Sequence, residues 1–441
     1  MKIYAWILLL FINFSFQSCF ITGAFSQDLE YAQRVINTLT APEMHGRGYV
    51  SNGERVAARY IRKEFNTLGL KKISLKYFQK FEITVNTFPG AMELSLNNME
   101  LIPGKDFLAY PGSPSTRGSF EAFYIPLKEL LNDNIWLETI ARSTGRFVLI
   151  EEPAPDAEKL SGEETEKFRE RIDFFKHHPG CPAAGTILFT KNKLTWRGST
   201  REYHQPFFTV NTDVDPKLLT RITVNIESEF FPSYKTQNVV GIIRGKRYKD
   251  SLIYLTAHYD HLGRMGEEVY FPGANDNASG VAMILNLAAH YTKEENRPDY
   301  TLVFMALGAE EIGIIGSRHY ADNPLLPLEQ ISFLVNIDLA GNGQEGITVV
   351  NGSEYPGRFN LVKRINDEYQ LLPVVKKRGP ACNSDHCPFY KKGVPSFFIY
   401  TMGGSTAYHD IYDTPENLPL TMFDNYFKLL KEFIDNLQEY N

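Results

Sequence analysis

The stretches SLIYLTAHYD at residues 251–260 and TLVFMALGAEE at residues 301–311 decide the fold. In each, a run of mostly apolar residues is followed at once by imidazole or carboxylate side chains. Such a run is typical of a strand that is buried on both faces. Helical stretches follow at residues 278–293 and 312–321. The alternation predicts an α/β fold with a mostly parallel mixed sheet and helices on both faces.

The alternation continues outward from these stretches. Toward the C-terminus, the predicted segments are strands at residues 331–338, 347–350 and 395–400, and helices at residues 357–369 and 421–438. Toward the N-terminus, apolar residues at helical spacing predict helices at residues 28–39 and 53–68. We expect both N-terminal helices to pack on the same sheet, so that the two ends of the chain form one domain.

The middle of the chain follows another pattern. Short alternating segments with turn residues predict strands, among them residues 146–150 and 185–189. A charged helical stretch at residues 155–176 separates these two strands. The pattern predicts an inserted β-rich domain at residues 101–230.

The rest of the chain, residues 27–100 and 231–441, is then the main domain. We expect the insert to supply no metal ligand. Its histidines are His177, His178 and His204, and no cysteine or carboxylate motif frames them as a metal site.

The N-terminus has the pattern of an export signal. Lys2 precedes an apolar stretch at residues 5–12, and small residues precede Gln27. This predicts a signal peptide at residues 1–26, an exported periplasmic or extracellular protein, and no stable membrane insertion after cleavage. An uncleaved membrane anchor and lipid attachment at Cys19 are the alternatives, although polar residues interrupt the apolar run.

Composition excludes some classes of protein. The chain has 441 residues, of which 43% are hydrophobic, so it can bury a large core. Its formal net charge of -6 gives no electrostatic footprint for nucleic acid. Beyond Cys19 there are three cysteines. Cys382 and Cys387 could form a small local disulfide loop or remain free thiols, and the sequence leaves both open.

Five side chains that suit metal binding stand at the ends of predicted strands or in the loops between those strands and the next helix or segment. They are His258, Asp276, Glu311, Asp338 and His409. The carboxyl ends of parallel strands share one edge of a sheet, where the functional groups of such folds gather. The order and position of the five therefore predict that they meet there.

Two imidazoles and three carboxylates suit zinc. One zinc needs three protein ligands and a water, so five ligands indicate two zinc ions bridged by one carboxylate, about 3.5–4 Å apart. Asp260, two residues after His258, lies on the same face of the extended chain, from which it could hold the imidazole tautomer.

Each of these residues also has an ordinary structural explanation. Asp276 could cap the following helix, and Glu310 with Glu311 could favour a helix N-terminus. His258 could be a core histidine, His409 an ordinary loop histidine, and Asp338 a turn former. Five such coincidences in this order are harder to obtain by chance than a single metal centre.

Several segments resemble the co-catalytic zinc exopeptidase family of bacterial leucyl aminopeptidases and glutamate carboxypeptidases. The segments are MHGRGYVSNGERVAARYIRKEF (44–65), LTAHYDHLG (255–263), GANDNASG (273–280), GAEEIGIIGS (308–317), NIDLAG (336–341), NSDHCPF (383–389) and STAYHDIYDTPENL (405–418). The resemblance covers residues 28–75 and 235–441. The middle region is similar to the protease-associated insert of some members.

The resemblance implies the zinc exopeptidase fold and two Zn²⁺ per chain. In this reading His258 and Asp338 complete one site, Glu311 and His409 complete the other, and Asp276 bridges the two. No expected ligand is missing from the sequence.

The resemblance also implies roles in catalysis. Glu310 is the general base, and Asp260 orients His258. A cis peptide bond is expected at Asp276-Asn277. Tyr408 stands where it could donate a hydrogen bond to the developing oxyanion, or it could be an ordinary packed tyrosine.

Three other functions remain as alternatives. A carboxypeptidase or dipeptidase of the same family has the same metals, and a glutaminyl cyclase of the same fold uses one zinc. Transferrin receptors have this fold without catalysis, so a binding protein is the third. The complete ligand set favours an enzyme with two zinc ions.

We predict peptide substrates with a neutral or apolar N-terminal residue. Recognition of a terminal carboxylate usually requires arginine. The resemblance implies that the segment before His409 lines the substrate pocket, and residues 393–408 contain no charged side chain. Arg264 and Arg378 could still reach the pocket from other loops. The sequence does not indicate an oligomeric state.

Overall fold

The computed structural model describes residues 28–73, 75–153 and 160–437. The predicted signal peptide and Cys19 lie outside the described residues, as do the first residues of the predicted helical stretch at 155–176. Among the described residues, no helix is both long enough and apolar enough to cross a membrane.

Nine strands form the main sheet within the described residues. They are Lys71–Lys72, Phe78–Thr87, Glu229–Ile243, Tyr248–His258, Tyr300–Leu307, Ile331–Asp338, Gly346–Val350, Val375–Lys377 and Ser396–Met402. The centre of the sheet is parallel, in the order Tyr300–Leu307, Tyr248–His258, Ile331–Asp338, Ser396–Met402. Antiparallel pairs flank this centre. The predicted fold class is confirmed.

Helices cover both faces of the main sheet. Successive side chains of a strand point to opposite faces, so one strand contributes to the cores on both sides. Ile253 and Leu255 pack in the larger core, whereas Leu252 and Tyr254 pack in the smaller core on the other face. The larger core includes helices Leu29–Thr40, Gly53–Thr67, Gly280–Tyr291, Pro356–Tyr369 and Phe423–Asn436. The smaller core includes helices Ile315–Asp322 and His386–Lys391. The two N-terminal helices thus pack on the main sheet, as predicted.

Eight strands of the middle region form a second sheet within the described residues. They are Met92–Leu96, Met99–Leu101, Phe107–Ala109, Thr116–Tyr124, Phe147–Glu151, Gly185–Phe189, Phe207–Val210 and Arg221–Ile226. Helices Leu127–Leu130, Trp136–Arg142 and Gly162–His177 accompany it. The second sheet includes strands before residue 101, where the sequence set the start of the insert. We call residues 92–226 the insert from here on.

The insert leaves and rejoins the main sheet through one antiparallel pair. Strand Phe78–Thr87 leads into it, and strand Glu229–Ile243 returns from it. A separate core that includes Phe107, Phe147 and Phe208 stabilises the insert. That core also contains Phe271 of the main domain, so the two parts of the chain share buried surface.

The cysteine question that the sequence left open has an answer in the structure. Cys382 and Cys387 form a disulfide, and Cys181 is free. The bridge closes a small loop just before and into helix His386–Lys391. Asn383 and Ser384 lie in this loop, close to the site described next.

Candidate metal centre

The five predicted ligands meet at the carboxyl edge of the parallel strands. His258 and Asp338 are the last residues of strands Tyr248–His258 and Ile331–Asp338. Glu311 follows strand Tyr300–Leu307 after a turn. Asp276 lies in the turn before helix Gly280–Tyr291, and His409 follows the last strand of the parallel centre.

The first half of the centre contains His258, Asp276 and Asp338. His258 Nε2 lies 3.3 Å from Asp276 Oδ1 and 3.3 Å from Asp338 Oδ1. All three side chains are buried. Ser384 Oγ donates a hydrogen bond to Asp338 Oδ2 at 3.3 Å, which leaves Oδ1 directed at the imidazole.

The second half contains His409, Asp276 and Glu311. His409 Nε2 lies 3.1 Å from Asp276 Oδ2 and 3.1 Å from Glu311 Oε2. Asp276 therefore presents one carboxylate oxygen to each imidazole. This is the arrangement that a carboxylate shared between two cations requires.

Both imidazoles are held through the nitrogen that faces away from the carboxylates. His258 Nδ1 is 3.1 Å from the main-chain oxygen of Asp260, and His409 Nδ1 is 2.9 Å from that of Trp196. A carbonyl oxygen only accepts, so Nδ1 carries the hydrogen in both rings. Nε2 is then the nitrogen that each ring offers to a metal, and the same pattern orients metal-bound histidines in general.

The electrostatics of the centre favour a cation. Burial raises the pKa of Asp338, and burial together with the Glu311 carboxylate raises the pKa of Glu310 well above its ordinary value. Burial lowers the pKa of His409, but Glu311 and Asp276 outweigh it and raise the pKa to about 11. Buried carboxylates are stable when they are paired or bind metal. A divalent cation can take the place of a proton here, and imidazole with carboxylate donors suits zinc.

His261 is a residue that the sequence reasoning missed. Its donor atoms form a group with those of Asp276 and Glu311, all within 4.8 Å of one another, so it is a rival of His409 for the second half. However, His261 Nδ1 lies 2.7 Å from Glu311 Oε1, a hydrogen-bond distance. We interpret His261 as the residue that holds Glu311, while Glu311 Oε2 faces His409. Its position three residues after His258 was a signal in the sequence.

The turn that carries Asp276 is fixed by two further residues without a predicted role. Asp413 accepts hydrogen bonds from the main-chain N–H groups of Asn275 and Asp276, at 2.8 and 3.0 Å. The guanidinium of Arg47 donates to the carbonyl oxygens of Pro272, Gly273 and Asp276. Burial lowers the pKa of Arg47 to about 10. Arg47 and Asp413 lie within the segments that carry the resemblance, but the sequence alone gives them no partner.

The peptide bond between Asp276 and Asn277 is cis, as predicted. Asn277 Nδ2 donates to the carbonyl oxygen of Ile337 at 3.0 Å. This bond ties the turn to the end of the strand that supplies Asp338.

Asp260 lies between the two halves. Its carboxylate accepts hydrogen bonds from the main-chain N–H groups of Glu310 and Glu311, at 3.1 and 3.3 Å. Asp260 Oδ1 is 4.0 Å from His258 Nδ1, and the direct bond to that nitrogen comes from the Asp260 main chain. The carboxylate therefore fixes the Glu310–Glu311 turn, and its predicted action on His258 stays a prediction.

A cavity of about 220 Å³ opens onto the centre. Its lining combines four acidic or imidazole groups of the centre with Glu310, Tyr408 and several other side chains. The other lining residues are Leu339, Arg378, Asn383, Phe398 and Tyr400. Tyr408 stacks on the imidazole of His409, with ring centroids 4.0 Å apart. The cavity thus places aromatic and aliphatic side chains next to the candidate metal ligands.

The insert histidines lie outside the centre. Among the described residues, none of the His, Cys, Asp and Glu groups with metal-ligand spacing includes His177, His178 or His204. His177 instead contacts Asp173 and the hydroxyl of Tyr110.

A protein-family model matches the part of the chain that carries the candidate centre. Residues 238–434 match the model of peptidase family M28. This region is therefore similar to the members of that family. The match confirms the resemblance that the motifs indicated, and its range contains all five candidate ligands.

Two relatives of known name are similar to this chain, one named as an aminopeptidase and one as a carboxypeptidase homolog. Aminopeptidase YwaD of Bacillus subtilis is 30% identical over 262 residues, which are 56% of this chain and 55% of the relative. A glutamate carboxypeptidase 2 homolog of Caenorhabditis elegans is 29% identical over 238 residues, 46% of this chain and 30% of the relative. The chain thus spans about half the length of YwaD and less than half the length of the carboxypeptidase homolog.

Solved structures share the fold. A zinc aminopeptidase from Bacillus subtilis superposes with a TM-score of 0.67 at 19% identity, over 92% of this chain and 94% of the other. A peptidase M28 precursor from Shewanella amazonensis SB2B superposes with a TM-score of 0.68 at 18% identity, over 92% of each chain. The coverage extends through the insert as well as the main domain.

Proposed function

We propose that this chain is a two-zinc aminopeptidase. His258, Asp276 and Asp338 would hold one zinc, and Asp276, Glu311 and His409 the other. The observation that carries the proposal is the arrangement of Asp276, whose two oxygens each face a different imidazole Nε2. When bound, the two cations would polarise the scissile carbonyl group and lower the pKa of water.

Glu310 is the proposed general base. It lines the cavity and lies beside Glu311, in a turn that Asp260 holds through two main-chain hydrogen bonds. Its carboxylate takes the proton of the attacking water and delivers it to the leaving amine. A carboxylate oxygen of Glu310 lies within 4.8 Å of ligand atoms of His258 and Glu311, so the proposed base is close to both halves of the centre.

Tyr408 is the proposed hydrogen-bond donor to the carbonyl oxygen of the substrate. Its ring stacks on His409, and the residue lines the cavity while remaining 47% exposed. A hydroxyl in this position stabilises negative charge that develops during attack.

The cavity supports a preference for neutral or apolar N-terminal residues. Phe398, Tyr400 and Leu339 supply carbon surface next to the ligands. Phe397, the neighbour of Phe398, is buried in the larger core and packs against Phe433. Strand alternation therefore assigns Phe398 and Tyr400 to substrate and Phe397 to the fold.

Arg378 supports a second candidate, an exopeptidase for acidic groups. It lines the same cavity and donates to the hydroxyl of Tyr400 at 3.3 Å. A guanidinium binds carboxylates well, so the same site would accept an acidic N-terminal residue or the C-terminal carboxylate of a short peptide.

A panel of peptides tests the proposal. We expect leucyl and alanyl substrates with free N-termini to be cleaved faster than glutamyl substrates and N-blocked peptides that end in glutamate. Faster cleavage of the blocked peptides would reassign the chain as a carboxypeptidase. Zinc content per chain separates the remaining alternatives, since two ions support the proposal and one supports a cyclase.

We also propose that the protein is exported. The support is the predicted signal peptide at residues 1–26 and the disulfide Cys382–Cys387, which an oxidising compartment favours. The proposed location is the periplasm or the extracellular space. N-terminal sequencing of the mature protein tests it, with Gln27 expected as the first residue.

A further inference from the structure

Two segments from different parts of the chain meet beside the second half of the centre. The clamp loop, residues 193–199, belongs to the insert and lies between strands Gly185–Phe189 and Phe207–Val210. The ligand segment, residues 403–410, belongs to the main domain and carries His409. Neither segment contains a helix or an extended strand.

The clamp loop binds His409 itself through a reciprocal pair of bonds. The main-chain N–H of Trp196 donates to the main-chain oxygen of His409 at 2.9 Å. His409 Nδ1 lies 2.9 Å from the main-chain oxygen of Trp196. The second bond determines which ring nitrogen carries the hydrogen, and therefore which nitrogen faces Asp276 and Glu311.

Lys193 binds the ligand segment on both sides of His409. Its Nζ donates to the carbonyl oxygens of Thr406 and Tyr408, at 2.7 and 2.9 Å. It also lies 2.7 Å from Asp410 Oδ2. One ammonium group thus binds three acceptors of the ligand segment, one for each of its donor hydrogens.

The clamp loop is in turn anchored in the shared core. The indole N–H of Trp196 donates to the carbonyl oxygen of Ala109 at 2.7 Å, and the indole stacks on Phe271 with centroids 4.8 Å apart. Leu194 is buried in the same core. At the other end, a Cβ on Gly198 would come within 2.3 Å of the Ile312 side chain, so the loop packs closely against the turn after Glu311.

The ligand segment has weaker support from its own domain. Gly403 and Gly404 have positive φ angles of 80° and 81°, a region that glycine enters at little cost. The main-chain N–H of Ser405 reaches Asn342 Oδ1 at 3.4 Å, longer than any of the bonds from Lys193. Fixing such a segment costs conformational entropy, and the clamp loop supplies contacts that offset this cost.

We propose that the clamp loop is a positioning element for the second zinc site and that Lys193 is its principal side chain. The inference rests on the proposed function, since it assumes that His409 is a zinc ligand. None of the candidate metal-binding groups among the described residues includes a residue of the insert. The insert holds a ligand of the main domain in the orientation that binds metal, so occupancy of one zinc site depends on the insert.

Replacing Lys193 by methionine tests the proposal, because methionine keeps the length of the side chain and removes the three donors. We expect Lys193→Met to bind one zinc as tightly as the parent protein and the other about 10- to 100-fold more weakly, the usual effect of losing an outer partner of a ligand. Titration of the metal-free protein with zinc against a competing chelator measures both affinities. Lys193→Arg should restore much of the lost affinity, since it returns the charge and the donors.

Lys191→Met is the matched control. Lys191 lies two residues away in the same connection, and its Nζ binds the carbonyl oxygen of Thr212 at 2.9 Å and Asp213 at 3.0 Å. Both partners belong to the insert rather than to the ligand segment. Lys191→Met should therefore leave both zinc affinities unchanged.

A second readout does not depend on metal. Nitrogen NMR of the metal-free protein with labelled histidine reports the tautomer of His409, assigned by comparison with His409→Gln. We expect Lys193→Met to increase exchange between the two tautomers. If Lys193→Met fails to fold, Asp410→Asn removes the charged partner of Lys193 and serves the same titration.

The outcomes separate this inference from the proposed function. A parent protein that binds two zinc ions, with Lys193→Met unchanged in both affinities and in the His409 tautomer, overturns the clamp alone. Equal weakening of both sites, or the same loss in Lys191→Met, also overturns it, since the effect would then be general. A parent protein that binds no zinc refutes the proposed function, and the clamp falls with it.

Discussion

The two halves of the proposed centre are held by different kinds of structure. His258 and Asp338 end adjacent strands of the parallel sheet, and both are buried. His409 lies in the ligand segment, and its side chain is 17% exposed. His258 and Asp338 are therefore fixed by hydrogen bonds of the sheet, which act along whole strands. In the second half, His409 depends on a few contacts from the insert.

This difference shows how one fold can support a rigid site and a dependent site side by side. The carboxyl edge of a parallel sheet fixes residues at strand ends without further help. A ligand several residues beyond the strand needs its own support. The expected consequence is that the second half loses its metal first when a chelator removes zinc.

The largest effect is expected at the residue that the two halves share. Asp276→Ala removes one oxygen from each half, so zinc affinity at both sites should fall by more than the roughly 100-fold that loss of an outer partner causes. Activity should fall below detection. Elemental analysis after dialysis measures the zinc content, and two tightly bound zinc ions in Asp276→Ala would contradict a shared ligand.

Glu310 lies between the halves and should affect chemistry without affecting either metal. Glu310→Gln removes the proton acceptor but keeps the size of the side chain. We expect kcat to fall by about 10²–10⁴-fold, while two zinc ions remain bound. Steady-state kinetics and zinc content are measured on the same preparation. Near-normal turnover would assign the proton transfer to another residue.

The difference between the halves can be tested with a pair of ligand variants. His409→Ala should weaken mainly one zinc, because His258, Asp276 and Asp338 keep the other. His258→Ala should also weaken mainly one, but from the opposite half. Chelator titration of the parent protein should remove the zinc of the second half first, and His409→Ala should abolish that first step.

His261 sharpens the same test. It bonds Glu311 Oε1 at 2.7 Å, so His261→Ala should weaken the second zinc about 10- to 100-fold as an outer partner does. It should weaken that zinc less than His409→Ala does. The reverse order would show that His261 is the ligand and that His409 supports it.

The sequence predicted the first half of the centre more completely than its surroundings. His258 and Asp338 each end an apolar strand, and the alternation of strands and helices brings such ends together. His409 follows the strand predicted at residues 395–400 only after several further residues, so the strand pattern alone locates it less closely, and the motif around it adds to the assignment. Each of these residues carries a signal in its local sequence.

The supporting residues could not be predicted in the same way. Arg47 reaches carbonyl groups more than two hundred positions along the chain, such as that of Gly273. The contact between Lys193 and Asp410 joins two irregular segments. Contacts of this kind depend on where the whole fold places two loops, and neither hydrophobic period nor spacing records that.

The smallest expected effect concerns Arg378, which lies outside both halves but lines the cavity. Its guanidinium adds a charge that the aromatic lining from Phe398 and Tyr400 does not need for an apolar substrate. Arg378→Gln should therefore change kcat/KM for leucyl peptides by less than about twofold. Loss of a charge-assisted hydrogen bond of about 1.5–3 kcal/mol should lower kcat/KM for glutamyl peptides by about tenfold or more.

Arg264→Gln is the control, because Arg264 binds the carbonyl oxygen of Glu267 and is not among the residues that line this cavity. A large loss on leucyl peptides in Arg378→Gln alone would mean that the arginine binds a group common to all substrates, such as the main-chain carbonyl or the C-terminal carboxylate. That result would favour a dipeptidase or carboxypeptidase over an aminopeptidase that reads only the N-terminal side chain.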